Sequence, residues 1–151
     1  LEDAYKDLSG FGTPEDEAAA LRKVGGDPTY GEILPESFAH VLAAFNGTTA
    51  SDVYYDLGAG IGKTVLQAAL TTPVKQALGV EFERSRVLDS WTARERLVGA
   101  LLSVDDVAAR YPNTCGKLYA QLAGGEGASE AAVAALDQVV LGRGTEDEDE
   151  P

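Results

Sequence analysis

The chain has 151 residues, 44% hydrophobic and 25% charged, the size and composition of about one globular domain. Its 12 basic and 25 acidic residues leave a net charge of −13, which argues against a chain that grips nucleic acid by itself, because phosphate binding needs clustered Lys and Arg. No apolar run approaches the roughly 18–20 residues that span a bilayer, and one cysteine (Cys115) with one histidine (His40) makes neither a disulfide nor a metal ligand set.

Residues 1–26 lack a strong apolar period and read as an N-terminal arm or lid. Thr13-Pro14-Glu15 is a helix start signal, with Thr13 as the cap and Pro14 in the first helical position, for a short helix through Ala18–Leu21 that Gly25-Gly26 breaks. DPTYGEIL, residues 27–34, is a loop by its Pro and Gly content. PESFAHVLAAFNG then predicts a helix whose apolar face is Phe38, Val41, Leu42 and Phe45, stopped by Asn46-Gly47. His40 lies off that face, which makes it an exposed or packing histidine and not a catalytic one.

The centre of the chain is residues 52–83. An apolar run, Val53-Tyr54-Tyr55, ends in Asp56; glycines follow at Gly58, Gly60 and Gly62; a helix over about 61–71 carries Ile61, Val65, Leu66, Ala69 and Leu70 on one face; a second strand, QALGVEF, holds Glu81 near its end. Such a unit predicts a parallel pair of strands joined by a right-handed crossover. Alternate glycines let the backbone turn sharply and approach a ligand closely. The helix N-terminus beyond them offers free N–H groups. The spacing is G-x-G-x-G with an acid two residues ahead, in place of the dinucleotide G-x-G-x-x-G. Asp56 would repel phosphate and suits a cationic centre such as that of S-adenosylmethionine, while Glu81 at the next strand end suits ribose hydroxyls. Gly62-Lys63-Thr64 imitates the tail of a P-loop, but that pattern needs glycine where Leu57 stands, so Lys63 reads as a helix-surface lysine.

Residues 84–103 form the longest predicted helix, with Val87, Leu88, Trp91, Val98, Leu101 and Leu102 as its buried stripe and Arg84, Arg86, Arg94 and Arg96 as a solvated basic sector. Beyond it a short helix opens at Tyr111-Pro112-Asn113-Thr114 and runs through Leu118 and Leu122; Gly124–Gly127 is a loop; and Ser129 caps an alanine-rich helix reaching Val139 or Val140. Two parallel strands do not make a stable sheet. Either Val139-Val140-Leu141 is a third strand, or further strands lie outside this chain. The chain has no methionine, even at position 1, and on that ground is expected to be an excerpt or a processed product. Residues 27–142 are read as one ligand-binding domain and residues 143–151, with the acidic run Glu146–Glu150, as a solvated tail.

Thr29-Tyr30-Gly31-Glu32-Ile33-Leu34-Pro35, taken with Asp56-Leu57-Gly58-Ala59-Gly60-Ile61-Gly62, Val65–Ala69 and Gly79-Val80-Glu81, resembles the Dot-one (disruptor of telomeric silencing) histone methyltransferases over about residues 27–100. The resemblance implies a Rossmann-like α/β core, here with an incomplete sheet and a helical N-terminal arm. It implies methyl transfer from S-adenosylmethionine to a lysine in the core of nucleosomal histone three, and a nuclear location. Thr29, Tyr30 and Glu32 would cover the methionine end of the cofactor, Asp56, Gly58, Gly60 and Gly62 would line it, and Glu81 would hold the ribose. The family's adenine-contacting acid and its Asn-Asn-Phe acceptor segment have no counterpart, since Asn113 in YPNTCG does not match. Nor is the basic flank of a nucleosome binder present. A cofactor half-site without an acceptor half-site predicts weak cofactor binding and poor turnover by this chain alone. The rivals are a methyltransferase with another acceptor and a non-catalytic interaction module on a degenerate methyltransferase core.

Overall fold

The computed structural model describes residues 1–45, 47–102 and 134–143. A 3-10 turn at Glu2–Tyr5 is followed by helices α1 (Glu15–Lys23) and α2 (Pro35–Ala44), strand β1 (Val53–Leu57), helix α3 (Lys63–Thr71), strand β2 (Gln76–Glu81), helix α4 (Arg84–Leu102) and strand β3 (Val139–Arg143). The three strands form an all-parallel sheet in the order β1-β2-β3. Val139-Val140-Leu141 is therefore a third strand, and the helix expected to reach it ends by Asp137. The preceding readings from Tyr111 to Ser129, the Asn46 stop and the tail beyond Arg143 lie outside the described residues.

Strand propensity and burial explain the sheet. Val53, Tyr54 and Tyr55 favour extended backbone, and along β2 every second residue, Ala77, Gly79 and Glu81, is buried. The helices pack on that face. A Cβ on Gly79 would stand 2.8–2.9 Å from Leu141, Ala59 and Val65, so only glycine lets α3 and β3 close together here. Ile61, Val65, Leu66, Ala69 and Leu70, the predicted stripe of α3, all lie in the main core. On the other face Tyr55, Leu78 and Val140 stand in one row across the three strands. Tyr55 and Val140 are exposed there, as is Leu57 further along β1.

Four helix details differ from the sequence reading. Thr13 does not cap α1: Pro14 holds the cap position without a side-chain bond, and the Thr13 hydroxyl donates to Glu83 Oε2 at 2.6 Å. On α2 only Phe38 and Leu42 are buried, while Val41 and Phe45 are exposed. On α4 the buried line is Val87, Ser90, Ala93 and Leu97, not Leu88 and Trp91. Ser90 packs where its Cβ would lie 3.1 Å from a Cβ on Gly62, so the helix comes in on small residues. Trp91 stays at the rim because its indole N–H donates to the Leu141 carbonyl at 2.8 Å. The arginines of α4 are not simply a solvated sector. Arg86 is buried, Arg94 donates to the Leu136 carbonyl and pairs with Asp137, and Arg96 donates to the carbonyls of Ala4 and Lys6. Those last bonds hold the start of the arm segment against α4, and Ala4 and Tyr5 belong to the main core.

Candidate functional site

The site is built where β1 ends. Gly58, Gly60 and Gly62 all take left-handed backbone angles, with φ of 85°, 56° and 79°. That conformation costs other L-residues roughly 1–2 kcal/mol, which is why glycine stands at each. The turn is tied to the sheet by its own amides: Gly58 and Ala59 donate to the Val80 carbonyl, and Gly60 donates to Glu81 Oε2 at 2.7 Å. Glu81 is buried, and its other oxygen accepts the N–H groups of Phe82 and Glu83. The acid read as a ribose ligand thus fixes the turn and the following bend. Oε1 thereby has both lone pairs engaged, while Oε2, with one bond, keeps one acceptor position.

Asp56 is half-buried and accepts a hydrogen bond from the Thr64 hydroxyl. It also raises the phenol pKa of Tyr54, after burial, the larger cause. Upstream, Asp27 accepts both the N–H and the hydroxyl of Thr29, at 2.8 and 2.6 Å, and these bonds hold its carboxyl below the usual range. This Asx turn launches Tyr30 across the glycine turn. A Cβ on Gly60 would stand 2.5 Å from the Tyr30 ring, whereas a Cβ on Gly58 would meet nothing within 4 Å. The turn is covered at Gly60 and open at Gly58. The Tyr30 hydroxyl donates to Glu32 Oε1 at 3.0 Å; burial, then this bond and the Glu32 charge, raise its pKa.

Glu32 also pairs with Lys63 at 2.5 Å. Lys63, read as a plain surface lysine, therefore closes a bridge from the TYGE loop to the first turn of α3, and its ammonium lies 5.3 Å from the Tyr5 ring centroid. Beside the bridge is a cavity of about 320 Å³, walled by Tyr5, Glu32, Leu34, Lys63, Thr64 and Gln67 among others. Glu32 is the one predicted site residue on its wall. The Tyr5 hydroxyl is buried without a hydrogen-bond partner among the described residues, and burial raises its pKa strongly.

The structure thus brings Tyr30, Glu32, Gly60 and Glu81 into one connected set, with Asp56 joined to α3 through Thr64; Thr29 stands outside, exposed, as the pivot of its loop. Lys63, Thr64 and Arg86 were not singled out as site residues from the sequence. The Glu83-x-x-Arg86 spacing was the available signal for the last, since i,i+3 partners share a helix face. His40 is exposed, and among the described residues no group of His, Cys, Asp and Glu could hold a metal ion. No described helix is long and apolar enough to cross a membrane.

A relative from Gibberella zeae, "Histone-lysine N-methyltransferase, H3 lysine-79 specific", is 46% identical over 46 residues, a stretch that is 30% of this chain and 9% of that protein. The chain thus spans only a small part of the relative it matches. The family described as "Histone methylation protein DOT1" matches residues 14–94, more than half of the chain, with the TYGE loop, the glycine turn and Glu81 inside the match, and the chain belongs to that family.

Proposed function

We propose that this chain is the cofactor-binding part of a Rossmann-like histone-lysine N-methyltransferase that uses S-adenosylmethionine and acts in the nucleus on a lysine of nucleosomal histone three. The observation that carries the reading is the meeting of two motifs distant in sequence, with Tyr30 lying on Gly60 and Glu32 bridged to Lys63 just after the turn. Family membership and the name of the Gibberella relative support the reaction class.

The groups present suit this cofactor. Acids at Glu32 and Asp56 suit an ammonium, Lys63 suits a carboxylate, the bare backbone at Gly58 admits close approach, and Glu81 Oε2 retains one acceptor position for a ribose hydroxyl. Thr29, Tyr30, Glu32, Asp56, Gly58, Gly60, Gly62 and Glu81 are the proposed cofactor-site residues, Thr29 acting through the loop it pivots. The bound cofactor supplies a methyl group on a sulfonium, already reactive towards an amine. The protein's part is to bind, orient and exclude water. Tyr30 and Glu32 cover the turn, Asp56 ties the strand that enters it to α3 through Thr64, and Glu81 holds its middle at Gly60. With no acceptor channel legible in its sequence, the chain alone is expected to bind cofactor weakly and turn over poorly.

Calorimetry with S-adenosylmethionine and with ATP tests the site: binding of the first and not the second is expected, and the reverse would restore the P-loop reading. Radiolabelled methyl transfer to nucleosomes and to free histones tests the reaction. Robust turnover by this chain alone would overturn the half-site reading.

A further inference from the structure

The structure holds a buried charged cluster beside the glycine turn that the proposed reaction does not use. Arg86, on the first turn of α4, and Glu83, just ahead of that helix, are 6% and 0% exposed and pair at 3.0 Å. The Arg86 guanidinium also donates to the carbonyl of Gly10 at 3.0 Å, to the Thr13 hydroxyl at 2.8 Å and to the carbonyl of Pro28 at 3.1 Å. Thr13 in turn donates to Glu83. The guanidinium carbon lies 4.5 Å from the centroid of the Tyr30 ring, whose edge contact with Phe11 (centroids 4.9 Å apart) completes the surround. One side chain thus joins three stretches: the arm at residues 10–13, the loop at 28–30 and the start of α4.

Burying two charges is costly unless both are paired and hydrogen-bonded, and removing one partner from such a pair is far more disruptive than breaking a surface contact. The geometry also needs a guanidinium. Its planar fork can donate in several directions at once while its face lies on an aromatic ring; a lysine ammonium is a point charge with neither property. The Pro28 carbonyl and the Tyr30 ring are the two places where the loop bearing Thr29, Tyr30 and Glu32 is held from the α4 side. On its other side that loop is held by the bridge from Glu32 to Lys63, which is partly exposed and so a weaker tether.

We propose that Arg86 is the positioning residue that sets the TYGE loop over the glycine turn, controlling cofactor affinity through Tyr30 without touching cofactor. The affinity part rests on the cofactor reading above; the loop-setting part stands without it. Arg86 acts on the loop through a neutral carbonyl and a ring face, so it fixes where Tyr30 lies while leaving Glu32 to Lys63 and to ligand. It also couples the arm to the site, because the atoms that hold Pro28 and Tyr30 are the ones that hold Gly10 and Thr13.

The test uses the whole chain and the variant Arg86→Lys, with Arg96→Ala as control because Arg96 also ties the arm to α4 but lies outside this cluster. In limited proteolysis by chymotrypsin without cofactor, mapped by mass spectrometry, Arg86→Lys is expected to speed cleavage after Tyr30 about tenfold, with sites in α3 and β2 unchanged. Arg96→Ala is expected to leave cleavage after Tyr30 as it was. In calorimetry Arg86→Lys is expected to weaken S-adenosylmethionine binding about tenfold, the scale of one lost charge-assisted hydrogen bond. Unchanged cleavage after Tyr30 overturns the proposal, as does equal loosening by Arg96→Ala. If the parent chain binds no cofactor, the cofactor reading falls, and the cleavage result still decides the loop-setting role. If Arg86→Lys does not fold, Thr13→Ala probes the same cluster, where faster cleavage after Tyr30 supports the proposal and unaltered cleavage removes it.

Discussion

Gly60 and Glu81, at the end of one strand's turn and the end of the next strand, are joined by a buried hydrogen bond of 2.7 Å from the glycine N–H to the carboxylate. Glu81 accepts two more backbone N–H groups. Glu81→Ala is therefore expected to destabilise the fold by about 2–4 kcal/mol, since it leaves buried amides without acceptors. Urea denaturation measures this directly. Loss of cofactor binding in that variant has to be read against its lost stability.

Asp56→Ala separates the two effects. Asp56 is half-buried, and the Thr64 hydroxyl is its hydrogen-bond donor. A stability loss of about 1 kcal/mol is expected, the scale of one hydrogen bond. S-adenosylmethionine binding should vanish in calorimetry; unchanged affinity would remove Asp56 from the site.

The glycines of the turn should differ in a defined order. Gly58→Ala meets open space and carries only the left-handed penalty of about 1–2 kcal/mol. Gly60→Ala adds a clash with the Tyr30 ring and is expected to cost about 2–5 kcal/mol, the same penalty plus overpacking. Thermal melts of the two variants, with near-ultraviolet circular dichroism reporting Tyr30, check the order.

Alkaline pH should unfold the protein through its tyrosines. Burial raises Tyr5, helped by the charges of Tyr30 and Glu32; burial and the Glu32 bond raise Tyr30; burial and Asp56 raise Tyr54. An unfolded tyrosine ionises near pH 10. Above that pH the unfolded chain holds fewer protons than the folded one, so stability is intact below about pH 10 and falls as pH rises. Phenolate absorbance should show these three of the six tyrosines ionising together with the loss of circular dichroism.

The sequence showed the elements that depend on local pattern. The run Val53-Tyr54-Tyr55 ending in Asp56, the α3 stripe and the glycine turn follow from residue type and spacing, so they were readable. Contacts that close over many residues were not. Thr13 looked like a helix cap because Thr-Pro-Glu is a strong local signal, yet a buried carboxylate on Glu83 offers its hydroxyl a better partner. Arg86, Arg94 and Arg96 looked solvated because arginine usually is; carbonyls left over at Gly10, Leu136 and Ala4 drew them in. Trp91 suggested a buried stripe by size, but Ser90 and Ala93 mark the contact line because the helix approaches closely. The meeting of Tyr30 with Gly60 depends on the path of the intervening α2 segment, which no short window contains.

The row of Tyr55, Leu78 and Val140 gives the molecule an unusual colloidal character. Its exposed members, with Leu57, would draw two molecules together, while a net charge of −13 pushes them apart. Repulsion of this kind acts over about 10 Å at 0.1 M salt and about 3 Å at 1 M. Raising the salt therefore shortens the repulsion without weakening the apolar attraction, and light scattering should rise with ionic strength while circular dichroism stays constant. For this protein, salt sets how closely molecules approach one another before it has any effect on the fold.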